Sequence, residues 1–566
     1  MAFNIRYNTC FGLERAPIRK PKLALILSTS SVLFLFAAYQ SYLSAIQHKS
    51  ALDLQPSITP TSSACEIWPG WRTATPDNIQ ADDSALSSLR LGTAEVMSED
   101  PDLGCTPAKE RLGLFGHSSG DSQLSRPPWR TVRWGLLQSD CANKNYGLKS
   151  ADPAIPYRKL ARFSGQADDE GQWSTPEDRS TGRTAIVVRT WDAYQYSDNQ
   201  LAWMRAMITE LSLDTGGRFQ VFMLVNVKDN SLDLFDNRTY TQLLEKSVPE
   251  EFRDVAFLYN EAILREWYPK VGEYGAQDQM YQALQIFSHS FPEFDFVWQL
   301  EMDARFTSHV AKMLTNAGSW AKRQPRKNLW ERNGRWFIPA LWKDYASFSA
   351  HVDEEFGDQG IWGPHPYAQF YLDPQGPQPP TRRDDVWGVG EEAELITLSP
   401  LIDPVNTKWT YESTIHGFEP ALNLPRRMAI VSMTRTSRRL LRLISYEQRK
   451  SGSWVVSEST PETWSLLHGL KAVYVPHLVA FNLDTNTETP EEQGRELDHM
   501  IHKGPAWNSA GGEHAGLLWC PDVGLPEQRW LNASYFYWAG DAPRLWWAYT
   551  NGSCTYSLVL HPVKAD

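Results

Sequence analysis

Residues 184–227 constrain the fold most. Thr184-Ala-Ile-Val-Val-Arg189 reads as a buried strand, bounded by Gly182 before it and Thr190-Trp191-Asp192 after it. Residues 199–213 follow as an amphipathic helix, with Leu201, Met204, Met207 or Ile208, and Leu211 at helical spacing. Residues 219–227 form a second apolar strand. A strand, a helix and a strand in that order predict a parallel pair joined by a right-handed crossover.

The rhythm continues. Residues 254–259 read as a short strand, 277–288 as a helix with Met280, Leu284 and Phe287 on one side, 294–300 as a strand and 309–320 as a helix. The stretch 321–380 is aromatic, basic and then Pro-rich, and reads as loops laid over a site. Residues 391–398 and 426–431 are regular again, 437–447 is a basic helix and 472–475 a late strand. The expectation is one α/β domain over residues 129–480, with a mostly parallel sheet flanked by helices. A C-terminal aromatic extension, 481–566, packs on it.

Ahead of this domain lies an uncharged, mostly apolar run, residues 23–39, extendable through Gln40 and Ser41 to Leu43. That length reaches the lower limit of a spanning helix. Arg6, Arg15, Arg19, Lys20 and Lys22 precede it against the single acid Glu14. The positive-inside rule then keeps residues 1–22 cytoplasmic and everything after about residue 44 lumenal or extracellular. A cleaved signal peptide fits less well, because Tyr39-Gln40-Ser41 lacks a small-x-small pattern. No second such run exists, which excludes a multispan transporter. Residues 44–128, rich in Ser, Thr, Pro, Asp and Ala, read as a flexible stem, with Trp68 and Trp71 able to dock on the body.

The rest of the chain agrees with this topology. Of six cysteines, Cys65, Cys105, Cys141, Cys520 and Cys554 fall beyond the anchor, where an oxidising compartment permits bridges. Cys520 with Cys554 is a plausible pair, and Cys105 with Cys141 a weaker one. No CxxC spacing supports structural zinc. Acceptor sequons start at Asn237, Asn532 and Asn551. The formal net charge of -12 argues against a nucleic-acid partner.

Chemistry is expected where strand 294–300 ends, at Glu301-Met302-Asp303. Ligands of open α/β sheets bind beyond the carboxyl ends of the strands. Residues two apart there can turn both carboxylates to one side, where they can hold a Mg²⁺ or Mn²⁺ against a diphosphate. Arg305 is close enough to meet phosphate. The competing reading pairs Glu301 with Arg305 and makes Asp303 a cap of the next turn. A second acidic cluster holds Asp385, Glu391 and Glu392. These are candidates for a general base or an acceptor-binding acid, or else first-turn acids of a helix. Gly357-Asp358-Gln359-Gly360-Ile-Trp-Gly-Pro-His365 can close over a sugar. His477, at the end of the late strand, is the first candidate for a histidine metal ligand, with His514 and His561 as rivals. Arg435, Arg438 and Arg439 form a basic patch suited to a diphosphate or to solvent.

The stretches Val188-Arg-Thr-Trp191, Gln277-Asp-Gln-Met280, Trp298-Gln-Leu-Glu-Met-Asp-Ala-Arg305, Trp387-Gly-Val-Gly-Glu-Glu-Ala-Glu-Leu-Ile396 and Lys471-Ala-Val-Tyr-Val-Pro-His477 resemble the family DUF3405, over roughly residues 130–560. The resemblance implies a fungal type II membrane protein with a fold like the GT-A glycosyltransferases. Carried over, the strand-end acids are Glu301 and Asp303 as metal ligands; the candidate donor contacts are Arg189, Asp278, Glu301, Asp303 and Arg305. A glutamate stands where GT-A enzymes carry the first aspartate of Asp-x-Asp, which leaves metal-independent transfer open. The function expected is sugar transfer in the Golgi or endoplasmic reticulum. The donor is a nucleotide sugar, the acceptor a glycan, glycoprotein or lipid, and one helix lies in the bilayer. The alternatives are a glycan hydrolase with paired carboxylates and a tethered, non-catalytic carbohydrate-binding protein.

Overall fold

The strand–helix alternation closes into a seven-stranded sheet in the computed structural model. The structure describes residues 63–68, 91–92, 107–117, 128–147, 181–365 without 343, 372–405 without 383, 409, 411–418, 424–480, 489–498, 533–536, 540–553 and 557–564. The strands of this sheet and of the pair beside the site are β1 (Thr184–Trp191), β2 (Phe219–Asn226), β3 (Ala256–Tyr259), β4 (Phe296–Glu301), β5 (Arg305–Phe306), β6 (Leu395–Thr397), β7 (Thr434–Ser437), β8 (Ala472–Tyr474) and β9 (Val559–Leu560). The large sheet runs β8-β6-β7-β4-β1-β2-β3. All its neighbours are parallel except β7, which is antiparallel to both β4 and β6. β5 and β9 form a separate antiparallel pair.

The central strands are apolar on both faces because helices cover both. Every residue of β2 is buried, as are the first five of β1. The crossover helix α1 (Asp198–Ile208) starts on a capping box, in which Ser197 accepts from the Gln200 amide and the Gln200 side chain returns the bond. It ends in a π-turn, Thr209–Leu213, so the expected helix 199–213 is present with a widened last turn. The later helices α2 (Met280–Ser290), α3 (Val310–Arg323) and α4 (Arg438–Ser451) match the expected periodic segments to within a few residues.

Three expectations are corrected. Residues 426–431 carry only an isolated bridge from Met428 to Ile402, and the strand lies later, at β7. Thr434-Arg-Thr-Ser looks polar, yet β7 sits between β4 and β6 with all four residues buried. Tyr281 Oη and Thr434 Oγ1 meet at 2.9 Å, which satisfies one of the buried hydroxyls. Glu391 and Glu392 begin no helix; they lie in a loop that leads into β6.

The third correction concerns cysteine pairing. Cys141 bonds Cys65, not Cys105. The segment 63–68 lies on the body: the Cys65 amide donates to Leu213 O at 2.9 Å, Ile67 is buried, and Trp68 meets Trp129 at 5.4 Å between ring centroids. Ala108, Leu112 and Phe115 also join the main core. Two stretches of the expected stem are therefore packed structure. The described residues all fall in one compact unit. Cys105, Cys520, Cys554, Asn532 and the run 23–43 lie outside the described residues. Among the described residues no helix is long and apolar enough to cross a membrane.

The Cys65–Cys141 bridge closes a separation of 76 residues. Cys65→Ser is expected to lower the unfolding free energy by about 2–4 kcal/mol, read as an earlier urea midpoint. An unchanged midpoint under non-reducing conditions would show that docking of segment 63–68 does not depend on the bridge.

Candidate metal centre

β4 delivers Glu301 to the carboxyl edge of the sheet, and a tight turn carries the chain into β5, with the Ala304 amide donating to Glu301 O at 3.1 Å. β5 pairs with β9 in the register Phe306 with Val559 and Arg305 with Leu560. That pairing places His561 directly after β9, and the Val563 amide donates to Asp303 O at 2.8 Å. The C-terminal segment is thus laced along the turn that carries the two acids.

Ligand atoms of Glu301, Asp303 and His561 lie within 4.8 Å of one another. His561 Nε2 stands 3.4 Å from Glu301 Oε2 and 3.5 Å from Asp303 Oδ1. Its Nδ1 lies 2.8 Å from Phe536 O. A carbonyl only accepts, so Nδ1 carries the proton and Nε2 is aimed at the acids. Burial lowers the imidazole pKa, but Asp303 and Glu301 outweigh it and carry it up to about 10. Burial raises both carboxyls. Arg189 and His561 outweigh this at Glu301, and His561 and Lys564 at Asp303, so both end below the usual range.

The donor set fits a divalent cation. Two carboxylates and one imidazole suit Mn²⁺, and the oxygens suit Mg²⁺. Buried Nε2 makes no hydrogen bond of ordinary geometry, so its lone pair is available to a metal when the ring is neutral. Arg189 holds Glu301 at 3.0 Å across the parallel β1–β4 pair, in which the two residues are in register.

A cleft of about 360 Å³ opens beside this group, lined by Arg189, Trp191, Tyr194, Asn226, Tyr259 and Lys564 among others. Trp191 is 43 % exposed and meets Tyr194 edge-on at 4.8 Å. Asn226 and Tyr259 are the last residues of β2 and β3. The strand-end rule that singles out Glu301 also applies to them, whereas nothing local marks Lys564.

The other candidate residues are placed elsewhere. Arg305 is fully buried and donates to Met302 O at 2.7 Å and Ala304 O at 2.9 Å, so it braces the turn and does not face the cleft. Asp278 lies in the turn whose Ala276 lines the cleft; burial and Glu273 raise its pKa. His477 is buried, with Nε2 2.9 Å from Leu398 O and Nδ1 3.3 Å from Leu478 O. Burial lowers its pKa to about 4, and it is not part of the metal-ligand group. His514 lies outside the described residues.

Asp385, Glu391 and Glu392 are not brought to Glu301. β6 runs parallel to β4, so residues just before β6 sit at the opposite, amino edge of the sheet. There Glu391 pairs with Arg326 at 2.6 Å, Glu392 with Lys322 at 3.0 Å, and Asp385 with Lys327 at 3.3 Å. Arg435 joins this group through Glu392 at 3.5 Å, while Arg438 donates to Pro292 O at 2.8 Å and Arg439 pairs with Glu394 at 3.1 Å. All three acids are thus engaged in ion pairs at that edge. The 357–365 loop lines a separate cavity of about 580 Å³ with Pro379.

Neither the curated proteins nor the solved structures give a match. The sequence model of one family matches residues 105–556, which stops short of His561. The chain belongs to DUF3405, a family described as a protein of unknown function.

Proposed function

We propose that this protein is a metal-dependent glycosyltransferase of GT-A-like fold, moving a sugar from a nucleoside-diphosphate sugar to a glycan, glycoprotein or lipid acceptor. One observation carries the reading. Glu301, Asp303 and His561 converge beside an aromatic-lined cleft where the strand order reverses, between β1 and β4. In doubly wound sheets that switch point is where nucleotides bind.

The cleft supplies what such a donor needs. Trp191 and Tyr194 offer ring faces to a base, and Asn226 offers hydrogen-bonding groups. Lys564 offers a charge to the diphosphate, and Arg189 keeps Glu301 in position. A Mn²⁺ or Mg²⁺ held by Glu301, Asp303 and His561 offsets the charge that grows on the leaving diphosphate. The paired carboxylates share one cation-sized site, which favours transfer over a hydrolase whose acids face each other across a sugar ring. The Cys65–Cys141 bridge suits a secretory compartment, in keeping with a Golgi or endoplasmic reticulum enzyme anchored through residues 23–43.

The full-length chain should show Mn²⁺-dependent thermal stabilisation by UDP or GDP, lost on adding EDTA. It should also release nucleoside diphosphate slowly from UDP- or GDP-sugars. Neither stabilisation nor release across such a panel would end the transferase reading.

A further inference from the structure

β7 runs antiparallel to β4, so the residues leading into β7 reach the same carboxyl edge as Glu301, on the side away from β1. Gln299 Nε2 donates to Ser432 O at 2.8 Å. Just upstream, the Ala429 amide donates to Glu458 O at 2.9 Å. The Met280 amide donates to Ser457 Oγ at 2.9 Å, which closes the other end of the segment. Glu458 is thereby fixed at the carboxyl edge, on the flank of Glu301 opposite Arg189.

Glu458 is 7 % exposed, and among the described residues no hydrogen bond or ion pair engages its carboxyl. A buried acid without a partner is costly and is rarely kept for stability alone. A second buried group on this flank is also unsatisfied. Gln299 Oε1, on the same face of β4 as Glu301, has no partner although the residue is fully buried. The charged or titratable groups acting on Glu458 are Glu301 and Arg189 across the edge, with Glu462 one helical turn on. Burial raises the Glu458 carboxyl above its ordinary value. A carboxylate placed at the edge of the site without a protein partner is free to take a proton from a bound hydroxyl.

The nucleotide cleft lies over the ends of β1, β2 and β3. A donor held there presents its sugar toward β4, and the β7 flank is the side left for an acceptor. We infer that Glu458 is the general base of the transfer, taking the proton of the acceptor hydroxyl. The inference rests on the transferase reading. The acceptor O–H bond breaks, its proton passes to the Glu458 carboxylate, and the oxygen electron pair forms the new bond to the anomeric carbon. The bond from that carbon to the phosphate oxygen breaks, and its electron pair leaves with the nucleoside diphosphate. One displacement of this kind inverts the anomeric configuration.

The test uses the full-length chain with Mn²⁺ and the UDP- or GDP-sugar it hydrolyses fastest, with water as acceptor. Glu458→Gln should lower kcat about 10²–10⁴-fold. Its melting temperature and its Mn²⁺-dependent affinity for the nucleoside diphosphate should stay at the wild-type values. In Glu458→Ala, added formate should restore at least about tenfold of the lost rate by accepting the proton in place of the missing carboxylate. The released sugar should carry the opposite anomeric configuration by NMR. A Gln variant within threefold of wild type, absence of formate rescue, or a retained configuration would each overturn the role of Glu458 while leaving the transferase reading intact. A wild-type chain that neither binds nor hydrolyses any donor would remove both.

Discussion

Asp303→Ala is expected to abolish the Mn²⁺-dependent rise in melting temperature and the metal-dependent part of nucleotide binding. The candidate site offers three protein donors, and Asp303 would supply one of its two carboxylates. At a metal concentration about 100-fold above the dissociation constant, a bound cation stabilises the fold by about 2.7 kcal/mol, and the variant should lose that whole increment. Asp303→Asn separates charge from volume. It keeps an oxygen at the same place but removes one of the two carboxylate charges that would face the cation, so the Mn²⁺-dependent rise should still fall sharply. The control is His477→Gln. His477 packs against Leu398 O and Leu478 O, away from the acids. That variant should lose some stability yet keep the full Mn²⁺ shift. A normal shift in Asp303→Ala would remove this aspartate from the metal centre.

The second large effect is structural and lies behind the same turn. Arg111 and Glu210 form a buried, two-pronged pair at 2.6 and 3.0 Å. Glu210 Oε2 also accepts from the Val310 amide at 2.9 Å, and Arg111 donates to Phe306 O. The pair thus ties segment 107–117 to the π-turn after α1, to the start of α3 and to β5, the strand that follows the turn carrying Glu301 and Asp303. Glu210→Ala leaves the Arg111 charge buried without its partner. The expected loss is about 3–5 kcal/mol, measured by urea unfolding at neutral pH. Burial raises the Glu210 carboxyl, but Arg111 and His309 outweigh it and hold it below its ordinary value. Its contribution is therefore fully present above the ordinary carboxylate range and lost as pH falls through the depressed folded value. The stability curves of wild type and Glu210→Ala should accordingly converge on acidification. A constant gap down to low pH would show that the charge of Glu210 is not what stabilises this junction.

The sequence is informative where structure is local. β1, β2 and β4 are runs of β-branched and aromatic residues long enough to be read as buried strands, and the helices between them carry their apolar residues at helical spacing. Strand ends are therefore legible, and with them the placement of Glu301 and Asp303. β7 was not legible, because Thr434-Arg-Thr-Ser owes its burial to the strands on either side of it and not to its own hydrophobicity. Nor was the fate of Asp385, Glu391 and Glu392. Their acidity is plain in the chain, but the edge of the sheet they occupy depends on the direction of β6, which is set by its pairing with β7 and β8.

The sequence by itself determined the alternating α/β class, the central strands and the two acids at the end of β4, because each follows from the periodicity of a short segment. Only the tertiary structure decided the third member of the candidate metal group and the shape of the site. His561 reaches Glu301 and Asp303 because β9 pairs with β5. Glu458 reaches the same edge because the backbone joins it to the segment entering an antiparallel strand. Cys65 meets Cys141 because segment 63–68 docks on the residues around Leu213. Each of these is a contact between segments far apart in the chain. Hydrogen-bond register and burial select such contacts, and no local pattern of residues encodes them.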